Sequence, residues 1–124
     1  MNTSAEHNER IAKITLATLY PLYVAKIERK GRTKEELLEV IQWLTGFNAQ
    51  KLEELIAEDV TMCAFFERAT VHPNAHLVTG LICGYRIEEL VNSLTKNIRI
   101  MDKLVDELAR GKKMEVILRV AKIE

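Results

Sequence analysis

The chain has 124 residues, 48% of them hydrophobic, and its 18 Lys and Arg balance 18 Asp and Glu. That length fits one domain able to bury roughly two-thirds of its unfolded surface, and the composition excludes a disordered chain. Zero formal net charge argues against a dedicated binder of nucleic acid or anionic membrane and does little to oppose self-association. The first residues lack a basic start followed by an apolar run, and no apolar segment approaches the roughly 18 residues that cross a bilayer. The expectation is a cytoplasmic protein with no membrane partner. Glu, Lys, Leu, Ala and Ile outweigh five Gly and two Pro, which points to helix.

Residues 1–9 read as a polar, mobile tail, leaving 10–124 as a single helical domain. Between residues 10 and 19, Ile11, Ile14, Leu16 and Leu19 leave helical and extended readings both open. Pro21 fits the first turn of a helix, where its missing N–H costs nothing, and Gly31 ends that helix. Thr33 followed by Glu36 is a capping box. The helix it opens carries Leu37, Leu38, Val40, Ile41, Trp43 and Leu44, and Gly46 closes it. Asn48 caps a third helix with Leu52, Leu55 and Ile56 inward, and Thr61 a short fourth with Met62, Phe65 and Phe66. Pro73 and Asn74 break the chain. Leu77, Val78, Leu81 and Ile82 form a compact apolar turn or short helix, and residues 85–87 lead out of it extended.

A long central helix follows, near residues 93–110. Leu94, Ile98, Met101, Val105 and Leu108 recur at steps of four and three and draw one apolar stripe, which Ile100 and Leu104 widen. Lys96, Arg99, Lys103, Asp106, Glu107 and Arg110 are expected to stay in water. Asn92 or Ser93 caps the helix and Gly111 closes it. Beyond it, Met114, Ile117 and Ala121 fit a helix while Val116, Leu118 and Val120 alternate as in a strand; the context favours helix. The fold class is all-α: six or seven helices in one irregular or orthogonal bundle around the long helix.

Residues that could carry chemistry are sparse. His72 and His76 have a spacing that can serve a metal, but Pro73 lies between them and the further ligands of a zinc site are missing. No metal or cofactor is expected. Lys26, Arg29, Lys30, Arg32 and Lys34 crowd one helix end. They suit a helix C-terminus; the competing reading is a nucleic-acid contact through Arg29, Lys30 and Arg32. The two helices joined around Gly46 superficially resemble a helix-turn-helix. Their candidate recognition face, Gln50, Lys51, Glu53, Glu54 and Glu58, is largely acidic and would repel DNA. Thr79, Cys83, Arg86 and Glu88 place a hydroxyl, a thiol, a cation and a carboxylate in one short glycine-punctuated stretch, the candidate ligand site. Cys63 and Cys83 sit among apolar residues and read as reduced core residues, with a disulfide as the lesser alternative. There is no nucleophile elbow, phosphate-cradling glycine loop or paired-aspartate signature, so no catalytic residue is assigned. Trp43, late in its helix, is the aromatic able to anchor a partner if exposed.

The residues also carry a resemblance. Tyr20-Pro21 with Tyr23-Val24-Ala25-Lys26, Lys30-Gly31-Arg32-Thr33-Lys34, Trp43-Leu44-Thr45-Gly46, Thr79-Gly80 and Cys83-Gly84 with Arg86 and Glu88-Glu89 come in order. Ile98-Arg99, Asp102-Lys103-Leu104, Asp106-Glu107-Leu108-Ala109, Gly111-Lys112 and Met114-Glu115 complete the series. In these the chain resembles a family of small bacterial proteins, domain of unknown function 2200, from about residue 10 to residue 119. The resemblance implies a compact cytoplasmic helical protein and brings no catalytic assignment. Relatives often begin the long helix with proline, where this chain has Ser93, and His72 and His76 lie outside the pattern. The leading expectation is a binding or interaction protein that self-associates, with an unidentified protein partner and without enzymatic activity. A ligand site or enzyme around Thr79 to Glu89 comes second and nucleic-acid binding last.

Overall fold

Two threonines fix where the second and fifth helices begin. Thr15 and Thr61 face each other in an isolated antiparallel bridge, with Leu16 N–H donating to the Val60 carbonyl and Met62 N–H to that of Ile14, both at 2.8 Å. Each threonine is also an N-cap: Thr15 Oγ1 accepts from Thr18 N–H, and Thr61 Oγ1 from Ala64 N–H. Two helices, α2 (Leu16–Glu28) and α5 (Met62–Arg68), therefore start back to back from one bridge. This short extended piece is why residues 10–19 read both ways.

The computed structural model describes residues 3–120. Parts of the tail expected at residues 1–9 and of the ending expected through Ala121 and Ile123 lie outside them. Within them the tail expectation is corrected from residue 5 onward. Ser4 caps α1 (Ala5–Ala12), whose Ile11 is buried and whose Asn8 accepts a hydrogen bond from Thr95 at 2.7 Å. Pro21 is likewise corrected: it lies inside α2, not in its first turn. The cap at Thr15 starts the helix five residues earlier, and Pro21 leaves the Ala17 carbonyl without its usual i+4 donor.

The capping box forms as expected, Thr33 and Glu36 each bonding the other's backbone N–H at the start of α3 (Lys34–Thr45). Gly46 ends it at φ +77°, and a Cβ there would stand 3.2 Å from the Thr70 carbonyl. That closeness exists because Thr70 and His72 donate their N–H groups to the last carbonyls of α3, those of Thr45 and Leu44. Asn48 caps α4 (Ala49–Ala57). A 3₁₀ turn, Pro73–Leu77, and a two-stranded hairpin, β1 (Leu81–Ile82) with β2 (Tyr85–Arg86), occupy the stretch expected to be one apolar turn or short helix.

Asn92 caps α6 (Ser93–Ala109), the longest element, and the helical reading of the final stretch holds for its first four residues, α7 (Met114–Ile117). The α6 stripe is buried as drawn at Ile98, Met101, Leu104, Val105 and Leu108. Against it pack α1, α2, α3, α5, α7 and the hairpin. Phe65, Leu16, Ile27, Leu37, Ile41, Leu52 and Leu55 fill the core around it, so the molecule is an all-α bundle built on one helix. The polar face departs from expectation at Glu107, which is 4% exposed. Arg119 turns back onto it, its Nη2 2.9 Å from Glu107 Oε2. A burial this deep is tolerated because the charge is paired.

Candidate functional site

The hairpin displays the candidate ligand residues. Its two-residue loop, Cys83-Gly84, has φ of +51° and +83°, the type I′ geometry that matches the strands' twist. Such a tip stands in solvent, which corrects the reading of Cys83 as a core residue: its thiol is exposed. Cys63 is half-buried and donates to Glu67, whose carboxylate raises the thiol's pKa. The two cysteines are free. Thr79, Arg86 and Glu88 are exposed as well. Glu88 accepts from Gly80 N–H at 3.2 and 3.3 Å, and bonds from its own and the Gly80 backbone N–H hold its carboxyl below the ordinary value. No hydrogen bond or salt bridge links the four side chains to one another. Lys103 on α6 ties the hairpin down through the Leu81 carbonyl at 3.1 Å.

Beneath the hairpin lies a polar cluster that sequence reasoning missed. Tyr23 on α2 donates its hydroxyl to Asp102 Oδ1 on α6 at 2.5 Å, and Arg99 Nη1 meets Asp102 Oδ2 at 3.1 Å. The Arg99 guanidinium sits 4.9 Å from the centre of the Tyr85 ring, and the His7 ring tilts against that same Tyr85 ring at 5.5 Å. Burial, then the charge of Asp102 and its hydrogen bond, push the Tyr23 pKa well up, so the phenol stays protonated and acts as a donor. Burial, then Arg99 and Arg10, pull the His7 pKa down. His7 Nε2 and Arg99 Nε are buried and have no hydrogen-bond partner among the described residues. The cluster binds α1, α2 and the hairpin to α6 through one neutral donor and one balanced ion pair. The i,i+3 spacing of Arg99 and Asp102 was a visible signal; the arrival of Tyr23 from 79 positions away was not.

The basic turn divides in two. Arg32 is engaged inside the fold: Nε and Nη2 fork onto Glu36 Oε2 at 3.0 and 2.7 Å, while Nη1 donates to the carbonyls of Leu108 and Lys112 at the end of α6. That bond from Arg32 keeps the Glu36 carboxyl below its ordinary value. Arg29 and Lys30 face outward onto an open groove of about 760 Å³, lined with Lys26, Asp106, Ala109 and Arg110. Asp106 holds Lys26 at 3.2 Å and Arg110 Nε at 2.9 Å. Burial alone would raise the Asp106 carboxyl, but the bond and charge of Lys26, with Arg110 beside it, hold it below the usual range.

A second, smaller groove of about 290 Å³ runs along the outside of α2, lined by Tyr20, Pro21, Val24, Ala25, Glu28 and Lys34. Leu22, next to it, is 61% exposed. The two remaining histidines are used locally: His72 Nδ1 accepts from Asn74 N–H, and His76 Nδ1 lies 2.7 Å from the Pro73 carbonyl. His72 also stacks on Trp43, centroids 4.4 Å apart, so Trp43 is half-buried. Among the described residues no three His, Cys, Asp or Glu converge as a metal site, and no helix is long and apolar enough to cross a membrane.

Residues 10–119 match a family described as an uncharacterized protein conserved in bacteria. The crystal structure of the uncharacterized protein SP1917 is similar throughout: 38% identity and a TM-score of 0.84, covering 90% of this chain and 92% of that one. No curated protein matches significantly.

Proposed function

The chain belongs to this uncharacterized bacterial family, and on the geometry above we propose that it is a binding protein that pairs with a second copy of itself through the outer face of α2. One observation carries the reading. α2 is apolar around its circumference, and such a helix is ordinarily covered on every side. Here Leu16, Tyr23 and Ile27 are covered, while Pro21, Leu22 and Ala25 stand in solvent. Two α2 helices crossing about a two-fold axis near Leu22 set each Leu22 against the partner's groove beside Pro21 and Val24. Glu28 and Lys34 bring both signs of charge to that groove, so a second copy meets opposite charges. A formal net charge of zero adds no repulsion. The same reading places the protein in the cytoplasm, where an exposed thiol such as Cys83 stays reduced.

The test is sedimentation velocity at rising protein concentration, on the natural chain and on Leu22→Glu. Covering the exposed part of Leu22 contributes about 1–2 kcal/mol in each copy. The substitution therefore weakens pairing by about 30-fold or more. A natural chain that remains strictly monomeric at high concentration refutes the proposal, as does a dimer that Leu22→Glu leaves intact.

A further inference from the structure

We propose that the groove between the ends of α2 and α6 is a binding site for a small molecule carrying two or more linked phosphates. Among the described residues, Lys26, Arg29, Lys30 and Arg110 bring four cations to it against the single carboxylate of Asp106. In a chain of zero net charge this is a local excess of three positive charges, the charge a diphosphate neutralises.

The cations are also pre-positioned. Asp106 anchors Lys26 and Arg110, and Arg29 Nε donates to the Ala25 carbonyl at 3.3 Å. Both arginines are held by Nε, which leaves their terminal nitrogens as donors; among the described residues these have no other partner. Fixed donors lose little freedom on meeting a ligand. Helix C-termini ordinarily repel anions through their free carbonyls. Here those carbonyls are engaged: Ala25 by Arg29, Ile27 by the N–H groups of Lys30 and Arg32, and Leu108 by Gly111 N–H and Arg32 Nη1. The volume falls within the range of small-molecule sites. Among the described residues its lining holds no aromatic ring and one apolar residue, Ala109, so they offer a base no stacking surface. Charge recognition of linked phosphates is what the lining offers, rather than nucleic-acid stacking.

The experiment is calorimetric titration of the full chain with inorganic pyrophosphate, inorganic phosphate and a single-stranded oligonucleotide, at about 50 and about 200 mM salt. Pyrophosphate is expected to bind at least about tenfold more tightly than phosphate, and to weaken by at least about tenfold in Arg29→Ala/Lys30→Ala, whose side chains are exposed and take no part in the core. Arg68→Ala, an exposed cation elsewhere, keeps the affinity of the natural chain. Equal affinities for pyrophosphate and phosphate, or binding that Arg29→Ala/Lys30→Ala does not change, overturns the inference. So does tighter binding of the oligonucleotide through the same two residues. Leu22→Glu retains pyrophosphate binding, which separates this site from the pairing face.

Discussion

Replacing Arg119 with alanine tests whether an ion pair holds the end of the chain on α6. Glu107 is 4% exposed and its carboxylate meets Arg119 at both oxygens, one of the contacts being 2.9 Å. Arg119 is further tied to the Ile117 carbonyl at 2.6 Å. Taking one partner from a buried pair strands the other charge and costs about 3–5 kcal/mol. Two features soften this. The Arg119 side chain is 17% exposed, and Lys112 stays 3.9 Å from the same carboxylate. We therefore expect about 2–3 kcal/mol. For a chain of this length that is a fall in Tm of about 6–15 °C. Urea unfolding followed by Trp43 fluorescence and by circular dichroism gives the free energies. The double variant Glu107→Leu/Arg119→Met removes both charges and is expected within about 1 kcal/mol of the natural chain. With the single variants Glu107→Leu and Arg119→Met, the double-mutant cycle then shows strong coupling. A loss under about 0.5 kcal/mol for Arg119→Ala, or single effects that merely add, refutes the reasoning.

Two further outcomes follow from backbone and titration. Cys83 is a non-glycine residue at φ +51°, and asparagine accepts that region more readily, so Cys83→Asn should stabilise by about 0.5–1 kcal/mol; an unchanged or lower urea midpoint contradicts this. His7 is held below the ordinary histidine pKa, so the unfolded chain takes up its proton first as pH falls through about 6.5. Stability thus declines from neutral pH toward pH 5, and His7→Gln should flatten that decline; equal midpoint losses in both proteins between pH 7.5 and about pH 5 count against it. Glu36 and Asp106, with depressed values, contribute stability that is lost only in stronger acid, below about pH 4.

Local chemistry was legible and long-range chemistry was not. The caps at Thr33, Asn48, Thr61 and Asn92 are decided within three residues, and each formed. The α6 stripe was legible because its spacing alone selects a face. Pro21 misled because a cap five residues earlier, in a bridge to Thr61, outranked the preference of proline for a first turn. Glu107 looked solvated because nothing nearby in sequence announces Arg119. The basic turn was half legible: Arg29 and Lys30 do reach a groove, but Arg32 is taken by carbonyls 76 and 80 positions away. Asp106 and Arg110, which complete that groove, come from a helix whose sequence gave no reason to pair it with this turn. Thr79, Cys83, Arg86 and Glu88 are neighbours by chain, and a hairpin spreads such neighbours outward instead of converging them.

The central position of α6 has a consequence for how the protein is made. A ribosome releases the chain from its N-terminus, so α1 to α5 emerge before the helix that α1, α2, α3 and α5 lean on. Until residue 109 is out, Leu16, Ile27, Leu37 and Phe65 lack their common support. Until then the nascent chain holds apolar faces uncovered, because α1 to α5 pack on one another but cannot complete the core without α6. A chain halted before Ser93 would be a substrate for chaperones or proteases, not a smaller version of this fold.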